Sequence, residues 1–494
     1  MYYLGIDLGS SSIKIALVDS ATGKKMAVLQ EPEEEMPIQA PQIGWAEQDP
    51  DIWWKHACNG ISRLKREHDL SEDEILGIGI AYQMHGLVLV NKSGEVLRNA
   101  IIWCDSRAVD AGDLAYEDLG TQYCDEHLLN SPGNFTASKL AWVKRNEPAN
   151  FEKVDKFMLP GDYIAFRMTG TVNTTISGLS EGIFWDFKND KVSKPLLDYF
   201  EIPEALIPDL TNTFGHQGTL SQEGASQCGL RSGTPILYRA GDQPNNALSL
   251  NVFQPGEIAA TGGTSGVVYA ITENLSVKET ARVNNFAHVN YGEQEKQIIG
   301  KLLCINGAGI QYRWLLNNLD VSSYDTMNQL ANSVAIGAEG VRIVPFGNGA
   351  ERMLKNTEVG TQILNLNLNR HTKAHLCRAA LEGIAFAFVY GMEIMQSDGI
   401  EMNIIRAGND NLFRSALFST TIATLTNSQI EIYDTTGAVG AARACTINEN
   451  GHSTFSTYMK NDHVQTYKPK SDNMPYQKAY QDWKKQLESM LNNK

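Results

Sequence analysis

The sequence predicts an α/β protein made of two similar domains that face one another. Residues 6–16 run from an apolar strand through a Gly-Ser turn into a second strand. Residues 258–270 repeat this order of strand, Gly-rich turn and strand. A repeat at about half the chain length indicates a duplicated unit. The chain of 494 residues is also long enough for two to four domains.

The first half alternates between strand and helix patterns. In the second predicted strand, Ile13, Ile15 and Leu17 alternate with Lys14 and Ala16, which is the period of a half-buried strand. We predict strands over residues 2–7, 12–19, 75–82 and 86–90, helices over residues 50–66, 138–146 and 162–168, and solvated loops or caps over the acidic segments 31–36 and 67–74.

The second half continues in the same style. Residues 238–244 are typical of a strand end that runs into a helix, and residues 404–405 form a strand before a predicted helix over 412–424. After the Lys-Pro break at residues 468–469, the tail has an amphipathic pattern. We expect this tail helix to pack back on the second domain.

Composition and charge exclude several classes of function. The 42 Lys and Arg against 57 Asp and Glu give a formal net charge of −15, which disfavours binding to nucleic acid or to a membrane surface. The most apolar helical run, residues 376–395, is interrupted by Arg378, Glu382 and Glu393, so we do not expect it to span a membrane. The seven cysteines form no CxxC pair, and the first residues lack a signal-peptide pattern. We expect a reduced, cytoplasmic protein.

The first glycine-serine turn has the residues of a phosphate-binding loop. Gly9 lets the backbone approach a phosphate closely, and Ser10 and Ser11 add hydroxyl donors. Asp7, at the end of the preceding strand, can hold Mg²⁺ directly or through water. A hairpin turn with a capping aspartate explains these residues equally well. The chain has neither a Walker A sequence nor a GxGxxG motif, which disfavours P-loop and Rossmann cofactor sites.

Two later segments can also bind a nucleotide. The second turn includes Gly263 and Thr264 and has the same donor-rich chemistry, so the two turns together can hold one polyphosphate from both sides. Residues 406–411 form a Gly-containing turn between strand and helix that can receive an adenosine group. Many other α/β connections share that last pattern.

Asp242 follows Ala240 and Gly241, which carry little side-chain bulk to obstruct a ligand. A carboxylate there can accept a proton from a substrate hydroxyl that attacks phosphorus. Asp is also a favoured helix N-cap, and spacing alone does not separate these two roles.

A further set of side chains suits an uncharged polyol, which needs hydrogen bonds and an apolar wall. Met84 and His85 lie at a predicted strand end, and Trp103 can add an aromatic wall. Asp105 and Arg107 follow as a charged pair. A structural histidine and a structural ion pair are the competing interpretations.

Taken in order, these segments resemble the FGGY family of carbohydrate kinases, most closely its xylulokinase members. The matching motifs are residues 5–12, 45–54, 83–86, 102–107, 135–142, 263–266 and 379–383. The resemblance implies two actin-like (ribonuclease H-like) domains flanking an interdomain active-site cleft. It implies that residues 1–245 carry the sugar site, the first phosphate motif and the catalytic aspartate, and that residues 246–494 bind ATP.

The resemblance also implies residue roles. Asp242 matches the general base, and Asp7 matches the metal-side carboxylate, so we assign both as catalytic and Asp7 as the ligand of Mg²⁺. The expected substrate-binding residues are Met84, His85, Gln243, Trp103 and Asp105, and the expected ATP-binding residues are Ser10, Ser11, Gly263, Thr264, Gly307, Gly408 and Asn411.

The expected reaction is transfer of the ATP γ-phosphoryl group to the terminal hydroxyl of D-xylulose, giving D-xylulose 5-phosphate and ADP. Gln243 stands where most xylulokinases carry Asn, and residues 306–311 also resemble the glycerol kinase pattern. Glycerol kinases, however, carry an Arg-Glu pair in place of Met84 and His85. Glycerol, L-ribulose or another ketose, a non-catalytic actin-like sugar sensor and a filament-forming actin relative are the alternatives. A homodimer is left open.

Overall fold

The computed structural model describes residues 1–493, without the side chains of residues 448–450. The strands, in chain order, are β1 Tyr2–Leu8, β2 Ile13–Asp19, β3 Lys25–Glu31, β4 Glu47–Gln48, β5 Ile75–Tyr82, β6 Val88–Val90, β7 Ala100–Ile101, β8 Lys156–Met158, β9 Asn173–Thr175, β10 Trp185–Asp186, β11 Lys191–Val192, β12 Asp209–Thr211, β13 Ile236–Gly241, β14 Glu257–Gly262, β15 Gly266–Thr272, β16 Asn284–Ala287, β17 Ile299–Ile305, β18 Arg342–Phe346, β19 Gly360–Leu364, β20 Ile404–Gly408, β21 Gln429–Tyr433 and β22 His463–Tyr467.

The α-helices alternate with these strands. They are α1 Pro50–Glu67, α2 Val109–Leu119, α3 Thr121–Tyr123, α4 Thr136–Asn146, α5 Pro148–Phe151, α6 Pro160–Thr169, α7 Ile176–Glu181, α8 Lys194–Phe200, α9 Gln222–Cys228, α10 Asp242–Ser249, α11 Gly309–Asn318, α12 Tyr324–Asn332, α13 Lys373–Ser397, α14 Ala416–Thr426, α15 Gly437–Ala444, α16 Ile447–Lys460 and α17 Met474–Asn492. Within residues 1–493, none of these helices combines the length and apolar character needed to cross a membrane.

Two large sheets share one strand pattern. In the first sheet, ordered β13-β5-β1-β2-β3, the strands β1 to β3 run antiparallel while β5 and β13 run parallel to β1. In the second, ordered β16-β17-β15-β14-β20-β21-β22, the strands β14, β15 and β17 are antiparallel while β20 and β21 follow β14 in parallel. This common order confirms the duplicated α/β unit that the two turns predicted.

The first sheet is covered on one face by a helix from the second half of the chain. Helix α15 lies so close to β1 and β5 that a Cβ on Gly5 would come 1.9 Å from the Ala438 carbonyl oxygen. A Cβ on Gly79 would come 2.0 Å from the Ala441 carbonyl oxygen. Only glycine permits such a backbone approach. The two halves are therefore joined by packing as well as by the chain.

Most predicted elements are confirmed, with shifts at their ends. The predicted helix over 412–424 begins later, at Ala416, because Asn411–Arg414 form a separate 3-10 turn and the Ser415 hydroxyl caps the helix proper. The predicted packing of the tail helix α17 on the second domain is confirmed, because its apolar side chains join the hydrophobic core of the second half of the chain. Trp483 is buried there, and its Nε1 donates a hydrogen bond of 2.8 Å to the Ile343 carbonyl.

Candidate active site

A cleft of about 440 Å³ opens beside the ends of strands from both large sheets. Strands β1, β5 and β13 lead to it from the first sheet, and β20 leads to it from the second. It is lined by Asp7, Gly9, Ser10, Ser11, Ser12, Lys14, Gln83, Trp103, Asp242, Gln243, Asn246, Leu250, Thr261, Gly408, Asp410, Thr435, Thr436 and Gly437.

Asp242 lies at the point where β13 ends and α10 begins. Gly241 occupies the N-cap position, so Asp242 is the first helical residue and its carboxylate faces the cleft. Burial, together with the charge of Asp7, raises the pKa of Asp242 to about 7, although hydrogen bonds with Gln243 oppose the rise. A carboxylate with a pKa near the working pH is well suited to general base catalysis.

Asp7 is the second carboxylate of the cleft. It lies near the end of β1, where its strand partners are Ala81 on β5 and Lys14 on β2. Burial raises its pKa, and the charge of Lys14 lowers it. Helix α15 begins directly above it, because a Cβ on Gly437 would lie 2.4 Å from Asp7 Oδ2.

The carboxylates of the cleft fit a magnesium ion that arrives with a nucleotide. Mg²⁺ is commonly held by one or two carboxylates, its own waters and substrate phosphates. Asp7, Asp242 and Asp410 line the cleft, and their carboxylates would supply oxygen ligands to such an ion. Within residues 1–493, no cluster of three or more His, Cys, Asp or Glu side chains is arranged to hold a metal ion by itself. The three carboxylates of the cleft fit a Mg²⁺ ion that is bound together with nucleotide phosphates.

Both predicted phosphate turns are closed by backbone hydrogen bonds. In the first, the Gly9 amide donates to the Ser12 carbonyl over 3.0 Å. In the second, the Gly263 carbonyl accepts from the Gly309 amide at 3.1 Å, and the Thr264 carbonyl accepts from the Ile310 amide at 3.0 Å. The second turn is thereby fixed to the first residues of α11.

A second cavity of about 270 Å³ is lined in part by the second turn. Its walls include Gly263, Thr264 and Asn411, whereas Thr261 on β14 and Gly408 on β20, which precede these residues in the chain, line the first cleft. The rings of Tyr312 and Tyr324 stack at its edge with centroids 5.7 Å apart. A nucleotide can therefore place its base in this cavity and extend its phosphates between the two turns into the cleft.

Met84 and His85 lie beside Asp242 without lining the cleft itself. A Cβ on Gly241 would lie 2.6 Å from Met84 Cγ, so Met84 supports the backbone before Asp242. His85 is half-buried, with a left-handed φ of 62°. Its Nδ1 donates to the Glu181 carbonyl over 2.9 Å, which leaves Nε2 as a hydrogen-bond acceptor. Burial lowers the pKa of His85 to about 3, so the ring is neutral.

Comparison with known proteins identifies the family. The model of the N-terminal domain of the FGGY family of carbohydrate kinases matches residues 2–249, and the model of the C-terminal domain of the same family matches residues 258–449. The chain belongs to the FGGY family of carbohydrate kinases. It is therefore an ATP-dependent sugar kinase, and the actin-like two-domain architecture predicted from the sequence is confirmed.

Relatives of known name match this kinase over nearly its whole length. It is 28% identical to a xylulose kinase of Haemophilus influenzae over 97% of this chain and 98% of that one, and 29% identical to a xylulose kinase of Escherichia coli over 91% and 90%. The structure of a "xyloylose kinase" from Brucella ovis matches with a TM-score of 0.88 and 26% identity over 100% of both chains. The glycerol kinase of Plasmodium falciparum with ADP has a TM-score of 0.88 at 20% identity over 99% and 98%. The last likeness shows the fold alone.

Besides Met84 and His85, two further predicted site residues of the kinase lie behind the cavity walls. Asp105 is fully buried and accepts hydrogen bonds from the Ala46 amide at 2.6 Å and from Arg107 Nη2 at 2.7 Å, so it supports the segment that carries Trp103. Gly307 is buried, and its amide donates to Glu351 over 2.7 Å. The other predicted nucleotide residues, and Trp103 and Gln243, line one of the two cavities.

The kinase also has functional-site neighbours that the sequence patterns missed. Glu181, at the end of α7, lies under the end of β13, because a Cβ on Gly241 would be 2.5 Å from its Oε2. Burial raises the pKa of Glu181 well above its ordinary value, and the charge of Asp242 adds to the rise. Phe286, from the second half, contacts the ring of His85 with centroids 5.2 Å apart. No local motif marks either residue, since both reach the site through long-range contacts.

Proposed function

We propose that the kinase transfers the γ-phosphoryl group of ATP to the terminal hydroxyl of D-xylulose, giving D-xylulose 5-phosphate and ADP. The observation that carries this proposal is the uncharged pair Met84 and His85 beside the raised-pKa carboxylate of Asp242. A neutral imidazole and a thioether suit the hydroxyls and carbon chain of a ketose. The relatives named as xylulose kinases support the same choice.

In this proposal, Asp242 orients the attacking hydroxyl and removes its proton. An alcohol is a weak nucleophile at neutral pH, so a correctly placed base contributes about 10²- to 10⁴-fold to the rate. His85 lies beside the cleft wall, and in this proposal a sugar hydroxyl reaches its Nε2 and donates a hydrogen bond to it, while the exposed Trp103 provides an aromatic wall. The new phosphate ester forms as the bond from the γ-phosphorus to ADP breaks.

In this proposal, the nucleotide binds on the side of the cleft opposite the sugar. Backbone and hydroxyl donors of the turns at Ser10 and Thr264 face the phosphates, and the tyrosine-edged cavity receives the base. Asp7 would hold Mg²⁺, which offsets negative charge on the transferring group. We propose that residues 1–245 supply the sugar site and residues 246–494 most of the ATP site. Closure of the halves would exclude water and suppress hydrolysis of ATP.

Glycerol is the second candidate acceptor, because Gln243 lines the cleft and matches the glycerol kinase pattern. The test is coupled ADP release with Mg·ATP against D-xylulose, L-xylulose, D-ribulose, L-ribulose and glycerol. We expect kcat/KM to be highest for D-xylulose by at least about tenfold. A preference for glycerol would show that Gln243 is the better guide to the substrate, and ADP release that no polyol stimulates would contradict the kinase mechanism itself.

A further inference from the structure

Lys139 on helix α4 is fully buried next to the proposed sugar site. Its Nζ donates one hydrogen bond of 2.8 Å to the His85 carbonyl and another of 3.1 Å to the Ile102 carbonyl. These carbonyls belong to two separate segments. One segment carries His85 itself, and the other directly precedes Trp103.

Packing alone does not account for a lysine at this position. Burying an ammonium group is costly unless it is well paired, and an apolar side chain of similar length would fill the same volume. Among the described residues, Lys139 forms no ion pair within 4.0 Å, and the nearby carboxylate of Asp105 is occupied by Arg107. Burial lowers the pKa of Lys139 to about 7. The Nζ amine therefore contributes through the hydrogen bonds that it donates to the two carbonyls.

The turn at His85 needs such support. A non-glycine residue at positive φ is conformationally strained and persists only where its surroundings hold it. His85 itself is held by two hydrogen bonds: its ring donates to the Glu181 carbonyl, and its carbonyl accepts from Lys139. The second bond also links the turn to the segment of Trp103, because the same ammonium reaches Ile102.

We propose that Lys139 is a positioning residue that fixes His85 and Trp103 at the spacing required by the sugar. The inference rests on the proposed function, since these two side chains are the proposed sugar contacts. It assigns Lys139 no contact with ATP, because both acceptors lie on the sugar side of the cleft. A purely structural role would instead affect the two substrates equally.

The test compares Lys139→Met, which keeps the length of the side chain and removes its donors, with wild type at pH 7. Lys144→Met is the matched control, because Lys144 lies on the same helix and binds Glu201 at the surface. For the polyol that the wild-type enzyme phosphorylates best, we expect Lys139→Met to raise the KM by at least about tenfold and to change the KM for ATP by less than about twofold. Lys144→Met should leave both KM values unchanged.

Three results distinguish the positioning role of Lys139 from the proposed function of the enzyme. Unchanged KM values in Lys139→Met, or equal increases for polyol and ATP, would overturn the positioning role while leaving the kinase activity intact. A wild-type enzyme that phosphorylates no polyol would refute the proposed function, and the inference would fall with it. If Lys139→Met does not fold, Lys139→Gln is measured against the same criteria, since it removes the charge but keeps a shorter amide donor.

Discussion

At the scale of single residues, the chemistry of the cleft depends on the protonation of two carboxyl groups. Asp242 follows Gly241, and Glu181 lies beneath that glycine. Both have raised pKa values because burial disfavours the charged form. The charge of Asp242 adds to the rise for Glu181, so an ionised Asp242 favours the protonated form of Glu181. In the proposed mechanism, Asp242 is the carboxylate that acts as the base.

The first prediction concerns the pH dependence of turnover. Because the base must be ionised, kcat/KM for the sugar should fall about tenfold per pH unit below an apparent pKa near 7. An ordinary aspartate would maintain the rate down to about pH 4. Coupled assays between pH 5 and 9 measure this profile. Glu351→Gln is the control, because burial also raises the pKa of Glu351 to about 7 and its removal should not move the acid limb.

A second prediction concerns stability. The pKa of Asp242 is raised on folding, so the native state binds this proton more tightly, and stability is lost as pH rises from about 4 to about 7. The Asp242→Asn variant avoids this loss of stability, because its amide side chain does not ionise. The substrate-free variant should therefore melt a few degrees above wild type at pH 8, and the difference should vanish near pH 4. A lower Tm for the variant at pH 8, measured by differential scanning calorimetry, would contradict the inference that Asp242 is buried where its charged form is disfavoured.

At the scale of elements, close backbone approaches position the site. Helix α15 rests on β1 and β5 at two glycines, and its first residue stands over Asp7. The sequence predicts the strands because their alternation is local. It does not predict α15 on the first sheet, because that contact joins residues more than 350 positions apart. Asp105 illustrates the same limit, since its orientation is set by the fold around Arg107 and Ala46.

The third prediction tests this packing. Gly79→Ala places a Cβ 2.0 Å from the Ala441 carbonyl oxygen, so α15 or β5 must shift. We expect a loss of about 1–3 kcal/mol in the free energy of unfolding, as for other overpacked sites. Gly408→Ala is the matched control, since its Cβ would meet Asp410 at an ordinary 3.4 Å. Urea denaturation should show a destabilised Gly79→Ala and a Gly408→Ala close to wild type. Equal stability of the two variants would contradict the close approach.

At the scale of the whole molecule, two units of the same strand order enclose one cleft, yet they are not independent. Tyr3, Ala16 and Val18 of the first sheet form an apolar cluster with Ala438 and Val439 of α15. The duplication itself could be predicted from two similar turns. The packing of α15 on the first sheet could not be predicted, because the amphipathic pattern of a short helix does not identify the sheet that it covers.

The fourth prediction follows from this packing. A fragment of residues 1–249 ends before α15, so it would expose the apolar face that contains Tyr3 and Val18. We expect the isolated fragment to lack a cooperative thermal transition by circular dichroism, whereas the full chain unfolds cooperatively. A fragment that melts sharply at the temperature of the full chain would show that the first unit folds without its covering helix.

The central claim is that Asp242 activates a sugar hydroxyl for attack on ATP, and ³¹P NMR tests it most directly. Wild type and Asp242→Asn are incubated with Mg·ATP and D-xylulose, and the phosphorus resonances are followed over time. Wild type should form a sugar phosphomonoester at the rate at which the γ-phosphate resonance declines. Asp242→Asn should form it at least about 10²-fold more slowly. A variant as fast as wild type, or a wild type that releases only inorganic phosphate, would contradict the account.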